Sequence, residues 1–491
     1  MNAKIYQLIA IIIYALGIIV LTYFSKRRKQ TIQSFSVGTK QVNPILIGLS
    51  LAVGMTSAAT FVINPGLVYL YGISGFIGYG IAAPLGIFLA LIVISKRFYQ
   101  FGEQSKVYTV PQWIGERYKS NTLRIFYALV AFLQITFAVL IAVGITIVLA
   151  NSFQISYSVV LILVLAFSIG YLIIGGGVNV LIFANTFQAI IMIIVAILFL
   201  LSGPIFLKIN PFEIKESLAN IDANLTGLVN PKSLLFRDWF EVFIANFLVG
   251  IAIICQPHII SKALYLKSEK DVNKYLWTVV IVGTLFFAVL FTGLYARVAL
   301  NSELLKADHV ISNYINIIFP PFILAIITLG ILLAGFSTLE NIFVALSSIF
   351  SIDILKEVFK KRFNQISEEK VNSILLLSTK IFLIILGIII YFLSMNQIEQ
   401  PNLSVAIFAQ NGVYGLFITT FWPILFGLFF KNVHKLAVFI FSLIALIVHF
   451  GFYYLKITIY HNNPGVTAAF ALLISKMFVI IYLIIYRNKI K

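Results

Sequence analysis

The chain has 491 residues, 61% of them hydrophobic and 11% charged, with a mean hydropathy of +1.03. Soluble domains carry charge on about a quarter of their residues, so this composition excludes a soluble fold. The formal net charge of +18 would suit a nucleic acid only if the basic residues shared one soluble face, and here they are scattered between apolar runs.

Those runs are long enough for a helix to cross about 30 Å of hydrocarbon. They predict thirteen spans, at 6–24, 44–71, 76–95, 123–150, 156–174, 180–207, 241–261, 275–300, 320–350, 372–394, 403–430, 436–455 and 465–486. The first has its basic cluster, "SKRRKQ", after the apolar run and lacks a small-residue cleavage site. It therefore reads as a span and not as a signal peptide. The second reads "LAVGMTSAATFVINPG" at its centre, with Gly54, Thr56, Ser57 and Thr60 followed by Asn64-Pro65-Gly66. Hydroxyls and breakers in an apolar segment predict an interrupted helix. The fifth span ends in Gly175-Gly176-Gly177, a tight turn, since no phosphate-loop Lys-Ser/Thr follows it.

The seventh span, "ANFLVGIAIICQPHIISKALY", is interrupted at Gln256-Pro257-His258. A proline inside a helix removes one bond and clashes with the carbonyl four residues back. The single cysteine, Cys255, excludes a disulfide framework and a thiolate metal site. The ninth span carries Ser337 and Thr338 at mid-depth, with Ala334 three and four residues earlier on the same face. Two residues beyond Thr338 stands Glu340, and an ionisable group at membrane depth is a functional candidate by default. Lys380 and Lys476 read as snorkelling side chains. His309, His434 and His461 fall in loops, His449 is alone in its span, and His258 shapes the break.

Basic residues predict the orientation. With the N-terminus outside, the inner loops hold 25 of the 35 Lys and Arg, counted over 26–40, 96–124, 262–274, 356–370, 431–435 and 487–491. That asymmetry follows the positive-inside rule and puts the C-terminus in the cytoplasm of a multi-pass cell-membrane protein.

The two interrupted spans are five apart. Broken backbone at membrane depth is tolerated only where protein or a water-filled cavity covers it. Interrupted segments at matching positions of two halves point to the binding site of an inverted-repeat transporter. Sodium is a hard cation that wants oxygen ligands, and freed carbonyls with the Ser337 and Thr338 hydroxyls would supply them without a buried carboxylate.

The residues resemble the sodium/solute symporter family (proline, pantothenate, sialic acid and sugar symporter-like). The blocks that carry the resemblance are "VGTKQVNPILIGLSLAVGMTSAATFVINPGLVYLYG", "YTVPQWIGERY", "IIGGGVNVLIFANTFQAIIM", "CQPHIISKALYLKSEKDVNKYL" and "FPPFILAIITLGILLAGFSTLENIFVALSSIFSIDILK", covering roughly the first 360 residues. The resemblance implies an all-α polytopic membrane protein with a 5+5 inverted-repeat core. Its parts would be an extra N-terminal helix and loop (1–43), a first repeat (44–207), an extracellular loop (208–240), a second repeat (241–430) and two accessory helices (431–491).

It also implies a sodium site built from Val53, Thr56, Ala334, Ser337 and Thr338, the first three through backbone oxygen. The implied activity is sodium-coupled symport of a small organic solute by alternating access, with no cofactor beyond the coupling ion and no catalysis. A proton-coupled symporter of the same fold is the alternative, and a transporter-like sensor or a channel is the rival of another class. Nothing in the sequence marks nucleic acid or an obligate protein as a partner.

Two departures from the family stand out. Proline-type members have an aspartate where this chain has Met55, and many members have one where it has Asn185. Asn185 and Glu340 are therefore the coupling candidates. The expected solute pocket takes Thr56, Ser57, Ala58 and Thr60 from one break and Asn246, Val249, Ile253 and Gln256 from the other, with Gln134 mid-way along the fourth span. Proline-type members have aromatics at Val249 and Ile253, which argues against proline. A small organic acid, amino-acid-like or vitamin-like solute fits, its carboxylate held at a half-helix N-terminus.

Overall fold

The computed structural model describes residues 3–26, 30–300, 305–399, 405–460 and 463–486, and among them regular structure is entirely helical. His461 and the basic residues of 27–29 and 487–491 lie outside the described residues. The helices long or apolar enough to matter for a membrane are α1 (Lys4–Phe24), α2 (Pro44–Met55), α3 (Ala59–Tyr71), α4 (Ile73–Gln104), α5 (Asn121–Phe153), α6 (Tyr157–Gly175), α7 (Val178–Leu207), α8 (Phe240–Ile253), α9 (Pro257–Tyr265), α10 (Asp271–Ala299), α11 (Pro321–Val358), α12 (Glu368–Glu399), α13 (Val405–Phe429), α14 (Lys435–Tyr454) and α15 (Pro464–Ile485). Eleven can span alone. The pairs α2/α3 and α8/α9, each bent by 59° at a short break, bring the spans to thirteen.

Both predicted interruptions are present, but their chemistry differs from the expectation. The first helix breaks at Thr56, Ser57 and Ala58, not at Asn64-Pro65-Gly66. Those three residues lie inside α3, where Ala59–Ile63 forms a wide π-turn and the Asn64 amide bonds back to the Ala59 carbonyl. A wide turn re-pairs the backbone that Pro65 would otherwise orphan. In the second, Gln256 is extended and Pro257 is the first residue of α9. Pro257 thus starts a helix, where its missing amide costs nothing.

Two further expectations change. Lys262, counted with an inner loop, is fully buried on α9. His309, expected in a loop, sits on a short helix, Ala307–Ile318.

The broken pairs sit at the middle of the bundle. Helix α10 lies along α2, and α8 lies along α4, so the neighbours of one broken helix are the partners of the other. Glycines set the closeness of the second pair. A Cβ on Gly86 would stand 2.3 Å from the Phe247 carbonyl, and one on Gly250 2.1 Å from the Ala83 carbonyl. Only a residue without a side chain allows that approach. Helix α11 is the most enclosed span and crosses behind α2 and α7, whereas α1 keeps a row of large apolar residues exposed, as a lipid-facing helix would.

At one end of α11 Arg124 is buried and fully used. Its Nε donates to Asp353 Oδ1 at 2.7 Å, Nη1 to Glu357 Oε1 at 2.7 Å and Nη2 to the Ile352 carbonyl at 2.8 Å. Thr109 Oγ1 donates to the other Asp353 oxygen at 2.6 Å. These bonds pin the start of α5 to the end of α11.

Candidate functional site

The first break frees carbonyls at the end of α2. Thr56 is extended (φ −104°, ψ 105°), and its hydroxyl turns back to the Ala52 carbonyl at 2.8 Å. The Ser57 hydroxyl accepts from the Ala59 amide at 3.2 Å and begins α3. Facing this break, α11 presents its hydroxyl pair. Ser337 Oγ lies 3.1 Å from the Val53 carbonyl and 3.0 Å from the Ala334 carbonyl. Thr338 Oγ1 lies 3.5 Å from the Gly54 carbonyl and 3.4 Å from that of Ala334.

Hydroxyls in spans commonly bond only to their own helix; these two also reach across to α2. Four of the five expected sodium ligands, Val53, Ala334, Ser337 and Thr338, thus share one buried cluster of neutral oxygens, and the fifth, Thr56, closes the helix beside it. The Gly54 carbonyl belongs to the same cluster and was absent from the sequence reading. The donor set, carbonyls and hydroxyls without a carboxylate, suits a hard monovalent cation.

A cavity of about 860 Å³, counted with its open mouth, lies between the two breaks. Ser57 and Thr60 line it from one side, and Asn246, Val249, Ile253 and Gln256 from the other. Ala58 instead lines an adjoining cavity of about 600 Å³, with Asp308 and Ser312. Thr56, expected in the solute pocket, is not on the cavity wall and turns its hydroxyl to the Ala52 carbonyl. Gln134 is buried behind the cavity, where its Nε2 reaches Gln256 Oε1 at 3.4 Å and His258 Nδ1. Asn246 spends its amide nitrogen on the Glu241 carbonyl at 2.8 Å, leaving its oxygen for the cavity.

Met55, singled out in the sequence as a departure from the family but not as a pocket residue, lines the cavity, and sequence reasoning missed Tyr79, Phe137, Gln410 and Tyr414 on the same wall. Tyr79 and Phe137 lie on unbroken helices and give no sequence signal. Gln410-Asn411-Gly412, polar within an apolar run, did give one. Among the described residues no charged side chain lines the larger cavity.

The coupling candidates lie on the far side of the oxygen cluster. Asn185 Nδ2 donates to Ser50 Oγ at 2.7 Å and approaches Asn341 Oδ1 at 3.5 Å. Glu340 is fully buried, and its Oε2 accepts from Gln188 Nε2 at 3.3 Å. The same amide donates to the Tyr14 hydroxyl at 2.8 Å. Glu340 therefore faces α1 and α7 and not the solute cavity.

The sequence profile of the Sodium:solute symporter family matches residues 35–444. The chain belongs to that family. Among relatives, a sodium/pantothenate symporter of Haemophilus influenzae is 23% identical, over 91% of this chain and 89% of its own. A sodium/proline symporter of Escherichia coli is 25% identical, over 73% of this chain and 72% of its own. Of solved structures, a Na⁺-coupled sialic acid symporter in a substrate-bound outward-open state superposes with a TM-score of 0.75 at 19% identity, covering 96% of each chain. A nucleobase-cation-symport-1 family transporter superposes with a TM-score of 0.58 at 12% identity, over 91% of this chain and 94% of its own. The fold of this sodium:solute symporter family member is thus that of Na⁺-coupled transporters, and its relatives act in transport, with sodium as the coupling ion.

Proposed function

We propose that this symporter binds sodium at Val53, Thr56, Ala334, Ser337 and Thr338 and carries a small organic solute, an organic acid or an amino-acid- or vitamin-like molecule, in the cavity between its two breaks. The observation that carries this reading is the contact of the Ser337 hydroxyl with the Val53 carbonyl. It joins α11 to the broken helix at the edge of the solute cavity, so cation and solute occupancy act on the same backbone. A ligand can shift a conformational equilibrium only by its differential affinity for the two states. A cation that bridges α2 and α11 in one state and loses half its ligands in the other has that property.

The solute would lie against the uncharged wall of the cavity. Carboxamides of Asn246, Gln256 and Gln410 and the hydroxyls of Ser57 and Thr60 offer orientation, and the N-terminal end of α3 favours an anionic group. The reciprocal packing of α2 with α10 and α4 with α8 supports two five-helix repeats, 44–207 and 241–430. The distribution of basic residues supports an outside N-terminus and a cytoplasmic C-terminus.

The test is uptake into proteoliposomes of a panel of labelled pantothenate, proline, sialic acid and short monocarboxylates, with sodium and proton gradients imposed separately. A sodium gradient alone should drive saturable uptake of one of them. Uptake driven only by a proton gradient would favour the proton-coupled alternative, for which the buried Glu340 is the candidate carrier, and uptake driven by neither gradient would reject symport.

A further inference from the structure

Lys262 has no place in the sodium set or the solute cavity, yet none of it reaches the surface. Its ammonium crosses from the second broken helix to the first, donating to the Ser50 carbonyl at 2.5 Å and to Ser50 Oγ at 2.8 Å. Among the described residues no carboxylate pairs with it. The same Ser50 hydroxyl accepts from Asn185 Nδ2 at 2.7 Å, and Asn185 Oδ1 is buried with no partner. Asn341 completes the cluster, its Nδ2 donating to the Ser337 carbonyl. Gly54 leaves the room: a Cβ there would stand 2.9 Å from Asn341 Nδ2 and 3.1 Å from Lys262 Nζ.

A buried charge without a counter-ion is costly, and neutral carbonyl and hydroxyl oxygens, here both from Ser50, are ligands of the kind that a bound sodium takes. We propose that the Lys262 ammonium is a resident cation occupying a second cation position, formed by the carbonyl and hydroxyl of Ser50 behind the Val53–Ser337 set, and that it thereby limits this chain to one exchangeable sodium. The inference rests on the sodium reading of the Val53–Ser337 set. It makes Lys262 a residue that sets stoichiometry: the tethered charge holds α9 against α2 in every cycle without leaving, where a mobile ion would enter and be released.

The experiment is equilibrium binding of radiolabelled sodium to the purified full chain, with no solute required. The wild type should bind one sodium per chain, and Ser337→Ala should weaken or remove it. Lys262→Ala, which empties the position and frees the Ser50 oxygens, should bind two, and the double variant with Ser337→Ala should retain one. Lys262→Arg keeps the charge and should stay at one. A wild type that binds two overturns the proposal, whether or not the alanine variant folds. Lys262→Ala binding a single sodium that Ser337→Ala abolishes overturns it while leaving the sodium reading intact. A wild type that binds none overturns both.

Discussion

Ser337→Ala removes the nearer of the two hydroxyls that touch both the first break and the Ala334 carbonyl of their own helix, at 3.1 and 3.0 Å. In the sodium-bound state that oxygen would be a ligand, and a hydrogen-bonding contact to a charged partner contributes about 1.5–3 kcal/mol. At about 1.4 kcal/mol per decade, the sodium concentration for half-saturation should rise roughly 10- to 100-fold. Fold stability should fall by only about 1 kcal/mol, the net worth of a neutral hydrogen bond. Ser348→Ala on the same helix is the control, because the Ser348 hydroxyl is buried and bonds nothing; its sodium curve should match the wild type. Sodium binding to purified protein, with thermal unfolding in sodium and in potassium, separates the two effects. If Ser337→Ala kept the wild-type sodium affinity while Ser348→Ala changed it, the oxygen cluster would not be the cation site.

Three other substitutions probe the frame and the coupling. Gly250→Ala drives a methyl into the Ala83 carbonyl, 2.1 Å from the ideal Cβ, and should destabilise the α4–α8 pair by about 1–3 kcal/mol, read as a lower unfolding temperature and lower yield. Arg124→Ala strands the buried Asp353 and takes from the half-buried Glu357 one of its two cationic partners, Lys360 being the other, and should cost about 3–5 kcal/mol, whereas Lys119→Ala on the neighbouring turn should be near neutral in the same melt. Glu340→Gln should shift the sodium or pH dependence of uptake with the solute KM unchanged, since Glu340 bonds Gln188 and faces away from the cavity; unchanged coupling removes Glu340 from the mechanism.

How much of this was legible in the sequence varied with the kind of signal. The spans were, because twenty apolar residues have few other uses. Each break was, because Thr56-Ser57 and Gln256-Pro257 are polar or helix-incompatible where a span should be plain. The exact pivot of the first was not: Pro65 looks like a breaker in sequence, and the π-turn at Ala59–Ile63 absorbs it. The cavity wall was half legible. Residues near the breaks were found, whereas Tyr79 and Phe137 sit in ordinary apolar helix and acquire their role only when α4 and α5 pack beside the breaks. Lys262 was misplaced for a related reason. It follows the apolar run by a few residues, as an inner-loop lysine would, and only the 59° bend of α9 turns it inward.

The acids missing from this chain set the sign of its site. Met55, and no aspartate, faces the cavity, and Asn185 and Lys262 both donate to the Ser50 hydroxyl. Asp308 lines only the adjoining cavity, and Glu340 turns toward Tyr14 and Gln188. With sodium in the oxygen cluster, the larger cavity therefore lies beside a mobile positive charge, with the tethered Lys262 charge behind it, and no described carboxylate on its wall matches either. A solute carboxylate placed roughly 8 Å from that sodium, at an effective dielectric of ~20, would gain about 2 kcal/mol, or roughly 30-fold in affinity. Whichever solute the uptake panel identifies, its carboxylate form should compete about 30-fold better than its carboxamide at saturating sodium. In Lys262→Ala that preference should shrink. Equal competition by acid and amide would mean that the solute meets the neutral wall alone, and that the loss of the two acids does not select for an anion.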